Sequence, residues 1–437
     1  MSAGAPQDAA VKVSTSDAPS GAKPVVLAAR CHPTDRALGL EAGGVLDDLD
    51  IGDGLAHADG YAVGLVHRTA GGRVAAVALV DAAAVEARIV DLAPTLGDAP
   101  PPRLASCRDR LLAAAFALPS RAPTQGVGAS YMARDLALYA LGSQGLEQSV
   151  IHVLQRGHES LAFDLACSGA NGLAVWDETA AGPGQGTAPS GTAARGVVRG
   201  ASFQVGQRSA VVNDLSPADS DAEVPRAIPN GAGFLVLWIA RRPEVERPSD
   251  GSADIEAVGE ARAFGWLEMV AVDIAGKATA PVRRLTPTQG HVSTYDVLAP
   301  FDGPRSEILV AARDDGESVD GAGGTLVRVR IRTDGAEPSW VLPTDGLGRG
   351  APTFVEAPLP WLSWVGPNEE VRLLPLDAEG EVAGPPSAEP ELEEARPLLS
   401  LGSGRDPAAG ARSNQGRIMV AAPRDKVAQL RVFDCPR

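Results

Sequence analysis

Gly172 to Trp176 reads GLAVW and Gly233 to Trp238 reads GFLVLW, two short apolar runs that start on glycine and end on tryptophan. Comparable runs stand at Gly60 to Val66 (GYAVGLV), Arg110 to Phe116 (RLLAAAF), Glu307 to Ala312 (EILVAA), Pro360 to Val365 (PWLSWV) and Gly416 to Ala421 (GRIMVA). Each is followed by a run of alternating character, such as Arg73 to Asp81, Gly196 to Val205, Gly265 to Asp273 and Thr325 to Ile331. Alternation at period two marks strands with two distinct faces. A third run often follows, as at Val85 to Leu92 and Gln148 to Leu154. One small antiparallel unit cannot bury its own faces and needs neighbours on both sides, so its recurrence predicts a repeat architecture.

The chain has 437 residues, with 39 basic against 55 acidic side chains and a net charge of −16. Such a balance repels a phosphate backbone or an anionic membrane, which argues against nucleic-acid binding. Only Lys12, Lys23, Lys277 and Lys426 are lysines, and alanine, glycine and proline abound. This is the composition of a GC-rich genome, so the arginines are not read as a phosphate site. The 44% apolar share suffices for a packed core. No apolar run reaches the roughly 18 residues of a membrane span. Residues 1–23 read as a disordered tail, and residues 24–437 as one domain, expected to be monomeric.

The cysteines are Cys31, Cys107, Cys167 and Cys435. Phe116 and Trp176 end equivalent runs, and Cys107 and Cys167 share their spacing, so the two cysteines hold the same place in neighbouring units. They are predicted to pair, geometry permitting. Cys31 ends the first strand-like run and Cys435 the last. The two fall together if a ring closes by pairing the N-terminal strand with the final unit. Two bridges would point to an oxidising compartment, with any leader absent from this sequence. Four buried free thiols are the alternative, and would fit a cytosolic protein.

Three or four antiparallel strands per unit, joined by Gly, Asp and Pro turns, describe a β-propeller blade. The layout over residues 24–437 resembles the β-propeller superfamily and implies an all-β fold, a seven-bladed ring closed by the N-terminal strand and the last blade. Six or eight blades, or two stacked β-sandwiches, are the competing readings. No WD40 or kelch signature is present. Ser168, Asn171, Gly172 and Trp176 form a distorted version of the sialidase-type box, but Trp176 sits in the apolar run and reads as core. The stretch PLDAEGEVAGPP, Pro375 to Pro386, is similar to blade endings of secreted bacterial propellers.

Connections between the apolar run and its successor are short at Arg68 to Gly72, Gly366 to Glu370 and Pro423 to Lys426. They are long in the four consecutive units between, at Pro119 to Arg134, Asp177 to Arg195, Arg241 to Arg262 and Arg313 to Gly324. Long loops on a rigid scaffold are where binding usually resides. The candidate binding rim comprises Asp177, Glu178, Arg241, Glu244, Asp250, Asp254, Arg313, Asp314 and Asp315, an acidic surface suited to a protein or an envelope polymer.

Asp48, Asp50 and Asp53 in DLDIGDG resemble a calcium loop, in which alternate carboxylates converge on one ion. Gly52 stands where a ligand is needed and no Glu closes the loop, so the stretch reads as an acidic turn without a cofactor, with calcium at these three carboxylates the alternative. The six histidines lack the i, i+4 spacing of a zinc helix. No nucleophile elbow or P-loop occurs. The expectation is a non-catalytic binding or scaffold module of the bacterial envelope. A propeller glycosidase or polysaccharide lyase, with scattered Asp, Glu, Arg and His at the channel mouth, is the alternative, and a cytosolic interaction platform a further one.

Overall fold

The structure is a computed structural model. It describes residues 32–40 and 51–436, leaving out 58–59, 82–86, 96–98, 109, 119–134, 143–144, 155–161, 180–194, 208, 232, 242–263, 299–306, 317–323, 333–334, 337–339, 343, 345, 349, 356–359, 369–370, 378–379, 390–397, 402–414 and 425–426. The tail at 1–23 and the loop residues Glu244, Asp250 and Asp254 lie outside the described residues, as do Cys31, Asp48 and Asp50.

The described residues are all-β, without a helix, and form antiparallel sheets whose strands follow chain order. Sheet 1 comprises Ile51–His57, Gly60–Thr69, Gly72–Asp81 and Ala87–Thr95; sheet 2, Arg103–Cys107, Arg110–Ala117, Asp135–Gly142 and Gly145–Leu154. Sheet 3 runs Phe163–Ser168, Asn171–Thr179, Gly196–Gln204, Ala210–Asp214, and sheet 4 Asp221–Asn230, Gly233–Arg241, Gly265–Val272, Arg283–Arg284. In sheet 5, Val292–Leu298, Ile308–Asp314 and Thr325–Arg332 are followed by two short pieces, Gly335–Ala336 and Trp340–Val341, both paired with the third strand. Sheet 6 comprises Thr353–Val355, Trp361–Val365, Val371–Pro375 and Ser387–Glu389. Sheet 7 holds Leu398–Leu401, Gln415–Arg424 and Val427–Pro436, and its outer strand is His32–Leu40 from the other end of the chain.

The apolar runs are the second strands. They read as continuous because both faces are buried. In sheet 3, Ala174 and Trp176 pack towards Phe116, Leu136 and Leu138 of sheet 2. Leu173 and Val175, alternating with them, pack towards Phe234, Val236 and Trp238 of sheet 4. Phe116 meets Phe163 edge to face, centroids 4.7 Å apart. The same sharing of one strand between two cores joins sheet 1 to sheet 2, sheet 4 to sheet 5 and sheet 5 to sheet 6. Trp176 is 1% exposed and is core, as its sequence context predicts.

The sequence reading starts each unit at the apolar run, whereas the structure places a further strand before it. Ile51–His57 is one such strand. The acidic turn expected around Asp53 is therefore a correction: this segment pairs with Gly60–Thr69 and carries a bulge between Ile51 and Gly54. Two C-terminal turns repeat one another bond for bond. Asp273 N–H donates to Lys277 O, Gly276 N–H to Asp273 O, and Lys277 N–H to Asp273 Oδ1, each at 2.9 Å. Asp377, Gly380 and Glu381 do the same at 2.9, 3.0 and 2.8 Å. Gly276 and Gly380 have φ of 75° and 77°, values that favour glycine at this place in the turn. The second of these turns is the PLDAEGEVAGPP stretch.

Candidate functional site

The long connections all leave the same end of their sheets, from the C-termini of second strands ending at Ala117, Thr179, Arg241 and Asp314. Most of the rim residues at these ends turn inward. Asp177 is 9% exposed, and its Oδ2 accepts the Val224 N–H of sheet 4 at 2.7 Å. Glu178, 3% exposed, accepts the Trp176 indole N–H at 3.0 Å and pairs with Arg199 at 2.5 Å. Arg199 also reaches Asp214, at 2.8 Å. Arg241 pairs with Glu223.

Arg313 and Asp315 are buried and paired at 2.5 Å. The Arg313 guanidinium also donates to the carbonyls of Gly348 and Gly350, beyond the end of its own sheet. Asp314 Oδ1 accepts the His291 N–H at 3.0 Å and the Gly316 N–H at 2.9 Å. The His291 ring lies on Phe264 with centroids 5.1 Å apart, and its Nδ1 is buried without a hydrogen-bond partner among the described residues.

Val224 lies in a bulge of the first strand of sheet 4, between Glu223 and Arg226, and has φ 54°. A β-branched residue rarely adopts this conformation, so the surroundings must hold it. They do so from both sides. Asp177 of sheet 3 takes the Val224 N–H, and the Tyr295 hydroxyl of sheet 5 lies 2.8 Å from Val224 O and 2.9 Å from Leu237 O. Burial, foremost, pushes the Tyr295 hydroxyl well above its usual range, so it stays protonated as donor. Bulges gather at rims, where they re-aim side chains, and the first strand of sheet 5 has another between Val292 and Thr294.

First strands expose one hydrogen-bonding edge, which the neighbouring sheet supplies with carboxylates. Asp164 Oδ2 accepts the Ala227 N–H at 2.9 Å, and Asp296 Oδ2 accepts the Phe354 N–H at 2.7 Å. Such partners relieve the cost of leaving backbone donors unpaired. At the other end of these strands, Cys107 and Cys167 form a disulfide with Cα atoms 5.3 Å apart, joining sheets 2 and 3 as their spacing predicts. Cys435 falls in strand Val427–Pro436. Among the described residues no three His, Cys, Asp or Glu side chains gather to hold a metal ion.

Sequence reasoning missed the group that links sheets 5 and 6. Arg328, 2% exposed, donates to the Gly380 carbonyl and to Glu381 Oε2 at 2.9 Å, and Arg330 pairs with Glu381 Oε1. The alternation in TLVRVRI marks a strand but not a partner for its arginines, and that partner lies in a distant turn. The hydrogen bond from Arg328 chiefly holds the Glu381 carboxyl below its ordinary 4.5, against the opposing effect of burial. With the native value below the unfolded one, this contribution is present above pH 4.5 and is lost as pH falls through the native value. Glu381→Gln is expected to flatten the acid limb of stability. Urea midpoints of both proteins above and below pH 4.5 measure it, and parallel acid limbs would contradict the assignment.

No protein-family model matches the sequence, and no curated protein matches it. Solved structures do resemble the fold. The polysaccharide lyase Uly1 superposes with a TM-score of 0.52 at 7% identity, covering 92% of this chain and 99% of that one. An α-L-arabinofuranosidase of Fusarium graminearum, solved with arabinobiose, gives 0.42 at 11%, with coverage of 80% and 95%. The apocarotenoid oxygenase of Synechocystis gives 0.41 at 13%, with 74% and 68%. At such identities the likeness is one of fold. The likeness to Uly1 spans nearly the whole chain, and the all-strand sheets fit a propeller.

Proposed function

We propose that this protein is a seven-bladed β-propeller that acts on a polysaccharide, as a glycosidase or lyase, across the end carrying the long connections. The observation that carries the reading is the loop asymmetry: long connections leave one end of four consecutive sheets, above strand ends fastened from sheet to sheet. Ring closure is supported by His32–Leu40 pairing with the last hairpin and by Leu398–Leu401 lying against Ile51–His57. The register sets His32 opposite Asp434, which supports a second bridge between Cys31 and Cys435. The Cys107–Cys167 bond favours an extracytoplasmic location.

The polymer is neutral or carries amino groups, since the chain bears −16 and its loops are acidic. Glu244, Asp250 and Asp254 meet the ligand from the loops, while Asp177, Glu178, Arg241, Arg313, Asp314 and Asp315 hold the loop bases. The fold shared with a polysaccharide lyase along 92% of the chain supports an enzyme. A non-catalytic binding module is the second reading. It is favoured by the internal bonding of Asp177, Glu178, Arg313 and Asp315, which are engaged as struts.

The test incubates the full chain with a panel of neutral and amino-sugar polysaccharides and follows new reducing ends, unsaturated products and retardation in affinity gels. Product formation, abolished by deleting residues 244–254 with the melting temperature retained, is the expected result. Retardation without product would establish the binding module instead. Neither product nor retardation on any polymer would overturn both.

A further inference from the structure

At the end of the sheets opposite the long connections, a cleft of about 200 Å³ opens between sheets 4 and 5. Its walls are Leu235 and Ile308, which begin second strands, and Met269 and Ile331, near the ends of third strands. All four are 5% exposed or less and belong to the core shared by these two sheets. The cleft exists because Ala271 and Ala280 contribute only methyl groups where that core reaches the surface.

Its mouth has the opposite chemistry. Asn230, Arg283 and Arg332 line it. Arg332 is paired with Glu307 at 2.8 Å. Arg283 lies across the ladder from Met269 and is exposed, and among the described residues no hydrogen bond or ion pair engages its guanidinium. A free guanidinium above an apolar hollow stands out on a chain of net charge −16. Guanidinium binds carboxylate through paired, charge-assisted hydrogen bonds.

We propose that this cleft binds a small amphiphilic carboxylate, with its apolar body on Leu235, Met269, Ile308 and Ile331 and its carboxylate on Arg283 and Asn230. A cavity of about 150 Å³ lined by aliphatic side chains accepts benzene, so this one takes a body of about six carbons. The site is independent of the polysaccharide reading, because it lies at the far end of the sheets and uses none of the same residues.

The test is calorimetric titration of the full chain with hexanoate, hexan-1-ol and hexylamine. Hexanoate is expected to bind at least about tenfold more tightly than the alcohol, the equivalent of one good charge-assisted contact, with the amine weakest. Arg283→Gln is expected to erase that preference without moving the melting temperature, because the side chain is exposed. Ala271→Leu, which fills the hollow, is expected to abolish binding of all three. Hexanoate binding no tighter than the alcohol, a preference that survives Arg283→Gln, or binding that survives Ala271→Leu would overturn the proposal.

Discussion

Removing the Cys107–Cys167 bond is expected to lower stability by about 4 kcal/mol, the largest effect of any single change considered. The bond closes a loop of 60 residues, and the chain-entropy relation assigns about 4 kcal/mol to a loop of that length. The native state loses contact area only locally. Cys107 is 1% exposed and belongs to the core between sheets 2 and 3, so Cys→Ala leaves a small deficit there as well. The double variant Cys107→Ala/Cys167→Ala, compared with the parent in urea, reads the difference directly. Hydrogen exchange should rise first in the hairpins joining first and second strands of sheets 2 and 3. A loss below about 1 kcal/mol would mean that the unfolded chain gains little freedom from the break.

Asp315→Ala is expected to cost about 3 kcal/mol, because it strands the buried Arg313 guanidinium without its paired carboxylate. The arginine keeps its carbonyl partners at Gly348 and Gly350, but loses the buried carboxylate that offsets its charge. Arg313→Met combined with Asp315→Leu should recover much of the loss, since exchanging both members of a buried pair for apolar groups is often neutral. Equal instability of the single and double variants would show that the carbonyl contacts, and not the ion pair, carry the effect. Denaturant unfolding of the three proteins separates these outcomes.

What could be read from the residues divides along a physical line. Second strands were legible because burial on both faces leaves an unbroken apolar run, as in GLAVW and GFLVLW. Third strands alternate and were legible for that reason. First strands were not. Asp221–Asn230 contains Pro225 and Pro229, and a strand with one open edge tolerates proline because some of its N–H groups need no ladder partner. In sequence such a strand looks like a loop, and Asp53, which lies in the strand Ile51–His57, reads as part of an acidic turn in the same way. The Cys107–Cys167 pairing followed from spacing alone. The inward bonding of the rim charges did not, since Asp177 meets a backbone donor 47 residues away and Arg313 a carbonyl 35 away. An acidic side chain beside a loop looks identical in sequence whether it points at solvent or at the next sheet.

The fastened strand ends have an evolutionary corollary. Asp177 and Glu178 bond to Val224, Trp176 and Arg199, all on sheet strands, so the connection that follows them is a replaceable cassette in a fixed socket. Drift in the tip of one cassette leaves the sockets of its neighbours untouched, so loop tips can diverge between lineages faster than the sheets beneath them.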